Sequence, residues 1–184
     1  MKTSCLPAAA LALALAAMPA RALTVEEGYA AIPQKRQSFD ARASTLPRAE
    51  VDGLQRLFGL VDQGVVLRAE TLRAHAAGNE TEIKRTLARF DALITSLEKE
   101  AASEAVAPAR DKLLVALRDQ RRFFGARAVT GSQVRRQEYR LSAEMREASR
   151  SLFDAYRVLL KAFPGEGRHN KTAFRNYMDA LDYY

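Results

Sequence analysis

Cysteine is nearly missing from this chain: Cys5 is the only one in 184 residues, and it lies inside a stretch that reads as a targeting segment. Once that segment is removed the chain can form no disulfide, so its stability must come from an apolar core. Tryptophan is absent, and histidine occurs only as His75 and His169. Two histidines without cysteine build no tetrahedral zinc site, and no CxxCH is present to attach haem covalently. Axial haem ligation by His75 and Met145 fails on height, because counting from the turns separates them by about 16 Å along a helical bundle at 1.5 Å per residue. Glu166-Gly167-Arg168-His169 has the Glu-x-x-His spacing of di-iron bundles. It occurs once, beside Pro164 and two glycines, where two helical copies are required. No Gly-rich phosphate loop appears, and no serine stands in a motif with a histidine and an acid. The expectation is a chain without metal, cofactor or catalysis.

What is present begins with the leader. Lys2 precedes an apolar run from Leu6 to Ala17, the length of a signal-peptide core and shorter than the roughly 20 residues that span a bilayer. Ala20-Arg21-Ala22 supplies the small-x-small pattern of a cleavage site, which places the cut before Leu23 and makes residues 1–22 a removed signal peptide. Cys5 comes too early for a lipid-attachment box. No later run of 18 apolar residues follows. The arginine and alanine bias fits a bacterial chain, so a periplasmic or secreted protein is expected. Loss of Lys2 and Arg21 lowers the formal charge from +7 to +5.

Four helical patterns follow. After Pro47, a residue suited to a first turn, Leu54, Leu57, Phe58, Val61, Val65, Ala69 and Leu72 recur at three- and four-residue steps toward Gly78. Asn79 with Glu82 has the form of a capping box, and Ile83, Leu87, Phe90, Ile94, Leu97 and Ala101 make the second seam. A third helix starts near Pro108, carries Leu113, Leu114, Leu117 and Phe124, and is interrupted by Gly125 and Thr130-Gly131-Ser132. A fourth runs from about Gln133 to Ala162 on Val134, Leu141, Met145, Ala148, Leu152, Ala155 and Leu159, and Pro164-Gly165-Glu166-Gly167 stops it. A short amphipathic piece with Phe174, Tyr177, Met178 and Leu181 closes the chain. The expected fold is all-α: an up-down-up-down four-helix bundle over 48–163, an extended strap over 23–47 and a helical tail over 164–184.

Three polar residues interrupt the seams. Heptad steps land on Arg68, Gln120 and Glu138, and counting from the turns places them at one level. A buried charge is costly unless paired, so Arg68 is expected to meet Glu138 with Gln120 bridging. Such a layer sets register, or anchors a small anionic ligand inside the bundle.

The same counting gathers Arg85, Arg89, Arg118, Arg121, Arg122, Arg127, Arg135 and Arg136 at one end, together with Arg68, Arg73, Lys84 and Arg140. Glu70, Glu80, Glu82, Asp91, Asp119 and Glu138 oppose them, so this pole holds the chain's whole excess of positive charge. It would attract an anionic envelope component or an acidic protein. No nucleic-acid motif is present. The leader "YAAIPQKRQSFD" contains Pro33 and resists helix formation. Tyr29, Ile32 and Phe39 suit a groove between helices while Lys35 and Arg36 stay wet, which fits either a strap or a docking peptide. The expected function is a non-enzymatic binding or adaptor protein that uses the basic pole and the leader, with an anionic-ligand carrier or sensor as the alternative.

Overall fold

The computed structural model describes residues 22–32, 35–130 and 136–182, without the side chains of 129, 130, 136 and 137. Residues 1–21 of the expected signal peptide, Pro33, and Gln133, Val134 and Arg135 of the expected fourth helix lie outside the described residues. Among those described the protein is all-helical, with seven helices and no strand: α1 (Val25–Ala30), α2 (Arg48–Ala76), α3 (Glu80–Lys99), α4 (Ala107–Thr130), α5 (Arg136–Leu141), α6 (Ala143–Ala162) and α7 (Arg168–Asp182). Among the described residues no helix is long and apolar enough to cross a membrane.

Local chemistry sets most boundaries. Thr24 accepts from the Glu27 amide while the Glu27 carboxylate accepts from Thr24, a capping box that makes the first part of the leader helical rather than extended. Tyr29 and Ala30 therefore belong to α1. Gly78, at φ 62°, ends α2 as expected for the residue after a C-cap. Asn79 caps α3 by accepting from Glu82, but only that half of the box forms, since the Asn79 amide donates back to Ala74 and Glu82 pairs with Arg85.

Two boundaries differ from the sequence expectation. α4 runs through Gly125 to Thr130, because a glycine costs a helix only about 1 kcal/mol and the buried Phe123 and Phe124 beside it outweigh that. The fourth helix is broken: Ser142 leaves helical geometry (ψ 138°), accepts from the Met145 amide, and starts α6 afresh after the short α5.

α2 lies at the centre, in contact with α1, α3, α4 and α7. Around it, α3 packs on α4, α4 packs extensively on α6, and α6 packs on α7, which returns to α2. Among the described residues α2 and α6 have no comparable contact, so the C-terminal helix stands between them as a wall of the core. Two aromatic clusters fill the interior. Phe58, Phe174 and Tyr177 join α2 to α7, with Tyr177 stacked on Phe58 at 4.2 Å. Phe90, Phe123, Phe124 and Tyr139 join α3, α4 and α5. The short α1 reaches α2 through Gly28, where a Cβ would stand 3.0 Å from Val66 Cγ2 and 3.1 Å from its Cα.

Candidate binding surface

The interrupted seams meet at the end of α7. Arg68, buried in α2, donates to the main-chain carbonyl of Asp182 at 3.0 Å and to the Tyr139 hydroxyl. Gln120, fully buried in α4, donates to the Leu181 carbonyl at 2.9 Å. The last carbonyls of a helix have no partner within it, and α7 has no basic residue in its last turn. Arg68 and Gln120 supply those donors, and the guanidinium also suits the negative end of the helix dipole. Glu138 is not part of this layer. Its carboxylate lies 3.9 Å from Arg127 and is 43% exposed. The residue that meets Arg68 is its neighbour Tyr139, whose ring lies under the guanidinium at 5.0 Å. Burial raises the Asp182 carboxyl, against the hydrogen bond from Ser149 and the charge of Arg68.

The leader is held along its length. Tyr29 is buried and donates to Asp62 at 3.0 Å, and Arg36 pairs with the same carboxylate. Burial raises both the Tyr29 hydroxyl and the Asp62 carboxyl; Asp62 pushes Tyr29 up further, while Arg36 and Tyr29 hold Asp62 down in part. Phe39 sits between Phe58 and Phe174, with ring centroids at 5.8 and 6.1 Å. Ile32 packs partly buried on the core, and Lys35 stays exposed. The amide groups of two asparagines grip the backbone from both sides: Asn176 accepts from Gln37 N and donates to Lys35 O, and Asn170 does both with Asp40. Glu166 is buried in the turn before α7 and accepts from the Ser44 hydroxyl at 2.7 Å and the Thr45 amide at 3.0 Å. Burial acts to raise its carboxyl, but hydrogen bonds from Ser44, Asn170 and Thr45 outweigh it and hold the group below the usual range. The Glu-x-x-His pattern is therefore a strap anchor, with His169 near Gln37 and Ser38.

Six of the eight arginines expected to form the basic pole's contact surface have a carboxylate partner within the fold. Arg89 pairs with Glu70, Arg118 with Glu98, and Arg121 with both oxygens of Asp91 at 3.0 and 3.1 Å, all between helices. Arg85 pairs with Glu82, Arg122 with the buried Asp119, and Arg127 reaches Glu138 while covering the Phe123 ring at 3.6 Å. Arg135 lies outside the described residues, as does the side chain of Arg136. Pairing at this density follows from the Glu and Asp residues one turn away or on the facing helix, a relation that a net-charge count does not resolve.

A different face carries unbalanced charge. Phe153, on the outside of α6, is 59% exposed, with the Tyr156 ring at 6.3 Å and the Arg157 guanidinium at 6.0 Å. On one side of this ridge an open cleft of about 340 Å³ is lined by Tyr156, Arg168, Lys171, Thr172 and Arg175. On the other, a cleft of about 380 Å³ is lined by Lys112, Asp154, Arg157, Val158 and Lys161. Among the described residues only two of these cations have a carboxylate partner, Lys112 with Asp154 and Arg175 with Asp179. Arg157, Lys161, Arg168 and Lys171 have none among the described residues. The sequence did carry a signal for this face, since Phe153 falls off the Met145-Ala148-Leu152-Ala155-Leu159 seam. Among the described residues no group of three metal-ligating side chains comes together.

Compared with protein-family models, with curated proteins and with solved structures, the chain gave no match.

Proposed function

We propose that this chain is an exported, non-enzymatic binding protein that docks an acidic polypeptide on the outer face of α6 and α7. The observation that carries the reading is Phe153, a largely exposed phenylalanine bordered by two clefts whose lysines and arginines outnumber their carboxylate partners. An exposed aromatic costs solubility and gains affinity when a partner covers it, and aromatic and arginine side chains are those that anchor interfaces. Clefts on both sides of the ridge suit a chain that places carboxylates at defined points. Export is the reading of residues 1–22. The frame is best regarded as a four-helix bundle of α2, α3, α4 and α6, with α7 inserted where the first and fourth helices would otherwise meet.

Photo-crosslinking in the native compartment tests this, with the reactive residue at position 153 and, as control, at the exposed Val115. A defined acidic polypeptide captured at 153 and not at 115 is the expected result, and Arg157→Glu with Lys171→Glu should weaken that capture by about tenfold or more. Lipid adducts alone, or equal capture at both positions, would sink the proposal.

A second reading, a carrier or sensor for a small anion, draws on a cavity of about 120 Å³ beside Arg68 and on its unpartnered Nε. It is the weaker one. The guanidinium is already engaged by Tyr139 and Asp182, and the cavity is smaller than the roughly 300 Å³ at which ligand sites begin.

A further inference from the structure

The main-chain nitrogen of Leu23 donates to Glu70 Oε1 at 2.7 Å. Glu70 lies in the C-terminal third of α2, and its carboxylate side chain is only 2% exposed. Its second oxygen, Oε2, accepts from Arg89 of α3. A buried carboxylate in a helix interior needs partners on both oxygens, and here one is a guanidinium and the other the backbone of the leader. Ala22, immediately before, is exposed.

We infer that cleavage before Leu23 creates the second charged partner of Glu70, so that maturation itself locks the start of the chain onto α2. This rests on the signal-peptide reading above. Hydrolysis of the Ala22–Leu23 peptide bond by a peptidase consumes one water and leaves a carboxylate on Ala22 and an amine on Leu23. That amine takes up a proton and is an ammonium at neutral pH. The nitrogen that donated as an amide then donates as a cation, in place and without movement of Glu70. Hydrogen bonds strengthen when donor and acceptor are both ionised, more so where water is excluded. The next residue, Thr24, opens the capping box of α1, and Gly28 and Tyr29 of that helix lie against α2. Fixing Leu23 therefore fixes α1 and the first part of the leader. In the uncut chain the same nitrogen carries no charge, and among the described residues the Glu70 carboxylate has Arg89 as its only cation.

Acetylation of the Leu23 amine tests this on the chain 23–184, because it restores an uncharged amide N–H at that atom. Acetylation is expected to lower the melting temperature by about 3 to 6 °C, as loss of a partly buried ion pair does in a chain of this size. Repeated on Glu70→Gln, it should lower it by less than about 1 °C. Equal shifts on both backgrounds overturn the docking. Should Glu70→Gln not fold, the acylation rate of the Leu23 amine decides: slower by about tenfold than in the unfolded chain is expected for a group buried against a carboxylate, and equal rates overturn it. The mass of the exported chain separates the two premises. A chain starting at any residue other than Leu23 overturns the cleavage reading and the inference with it, whereas a Leu23 start with equal acetylation shifts overturns the docking alone.

Discussion

Arg68 and Asp182, 114 residues apart in the chain, meet through a 3.0 Å hydrogen bond from the guanidinium to the main-chain carbonyl. The contact ties the C-terminal third of α2 to the last turn of α7. It also explains how a buried arginine persists without a carboxylate in direct contact among the described residues. The Asp182 carbonyl and the Tyr139 hydroxyl solvate it, and the dipole of α7 offers a partial negative charge.

Arg68→Ala is accordingly expected to destabilise the protein by about 2 kcal/mol, the scale of hydrogen bonds to a charged group. Glu138→Gln, by contrast, should stay within about 0.5 kcal/mol, as for an exposed pair. Urea unfolding of both variants checks this. Equal losses would restore Glu138 to the layer.

Glu166 anchors the strap, and its carboxyl is held below its ordinary value. A lowered folded value gives stability that is present above the unfolded pKa and lost as pH falls through the folded one. Glu166→Gln should therefore cost about 2 kcal/mol near neutrality and progressively less below about pH 4.5, with faster amide exchange over residues 37–45. Asp62 and Asp182 act in the opposite sense. Their raised values favour the fold on acidification, so the comparison must be made against the unsubstituted chain at each pH.

His75 is buried against Phe124, with a ring-centroid distance of 5.9 Å. Burial, then the charge of Arg127, lowers its value from the ordinary 6.5, so the neutral ring belongs to the folded state. Its contribution is complete above pH 6.5 and declines as pH falls toward the lowered folded value. Replacing it with leucine should flatten the stability profile between pH 7 and 5. A profile unchanged by His75→Leu would show that the group titrates normally.

Reversal of the pole should act on stability rather than on binding. Arg121→Glu places a like charge against Asp91 and is expected to cost about 1 kcal/mol while leaving capture at Phe153 intact. Phe153→Ala should do the reverse, with stability unchanged within about 0.5 kcal/mol and capture weakened.

At Gly28, alanine must push against the backbone of Val66, which cannot rotate away as a side-chain tip can. Gly28→Ala is expected to destabilise by about 1 kcal/mol or more in spite of its better helix propensity, and to speed amide exchange in α1.

Reading residues in order reached the helices, because the 3.6-residue period, caps and breakers are local: α2 begins and ends, and α3 begins, within a residue or two of Pro47, Gly78 and Asn79. The same local signals held two clues that net periodicity hid. Thr24 with Glu27 started α1, and Ser142 split the fourth helix by capping α6. Burial of Phe174, Tyr177, Met178 and Leu181 was legible as one apolar face. That this face closes the core between α2 and α6 was not, because periodicity says which side of a helix is covered and not by what. Partner choice lay furthest out of reach. Arg68 met the end of α7 rather than Glu138, Arg118 and Arg121 met carboxylates on a facing helix, and the buried Glu70 met the main-chain nitrogen of Leu23. Such pairings depend on distances across the packed interior to within about 1 Å, set by all the side chains together, and no spacing along one strand of sequence encodes them.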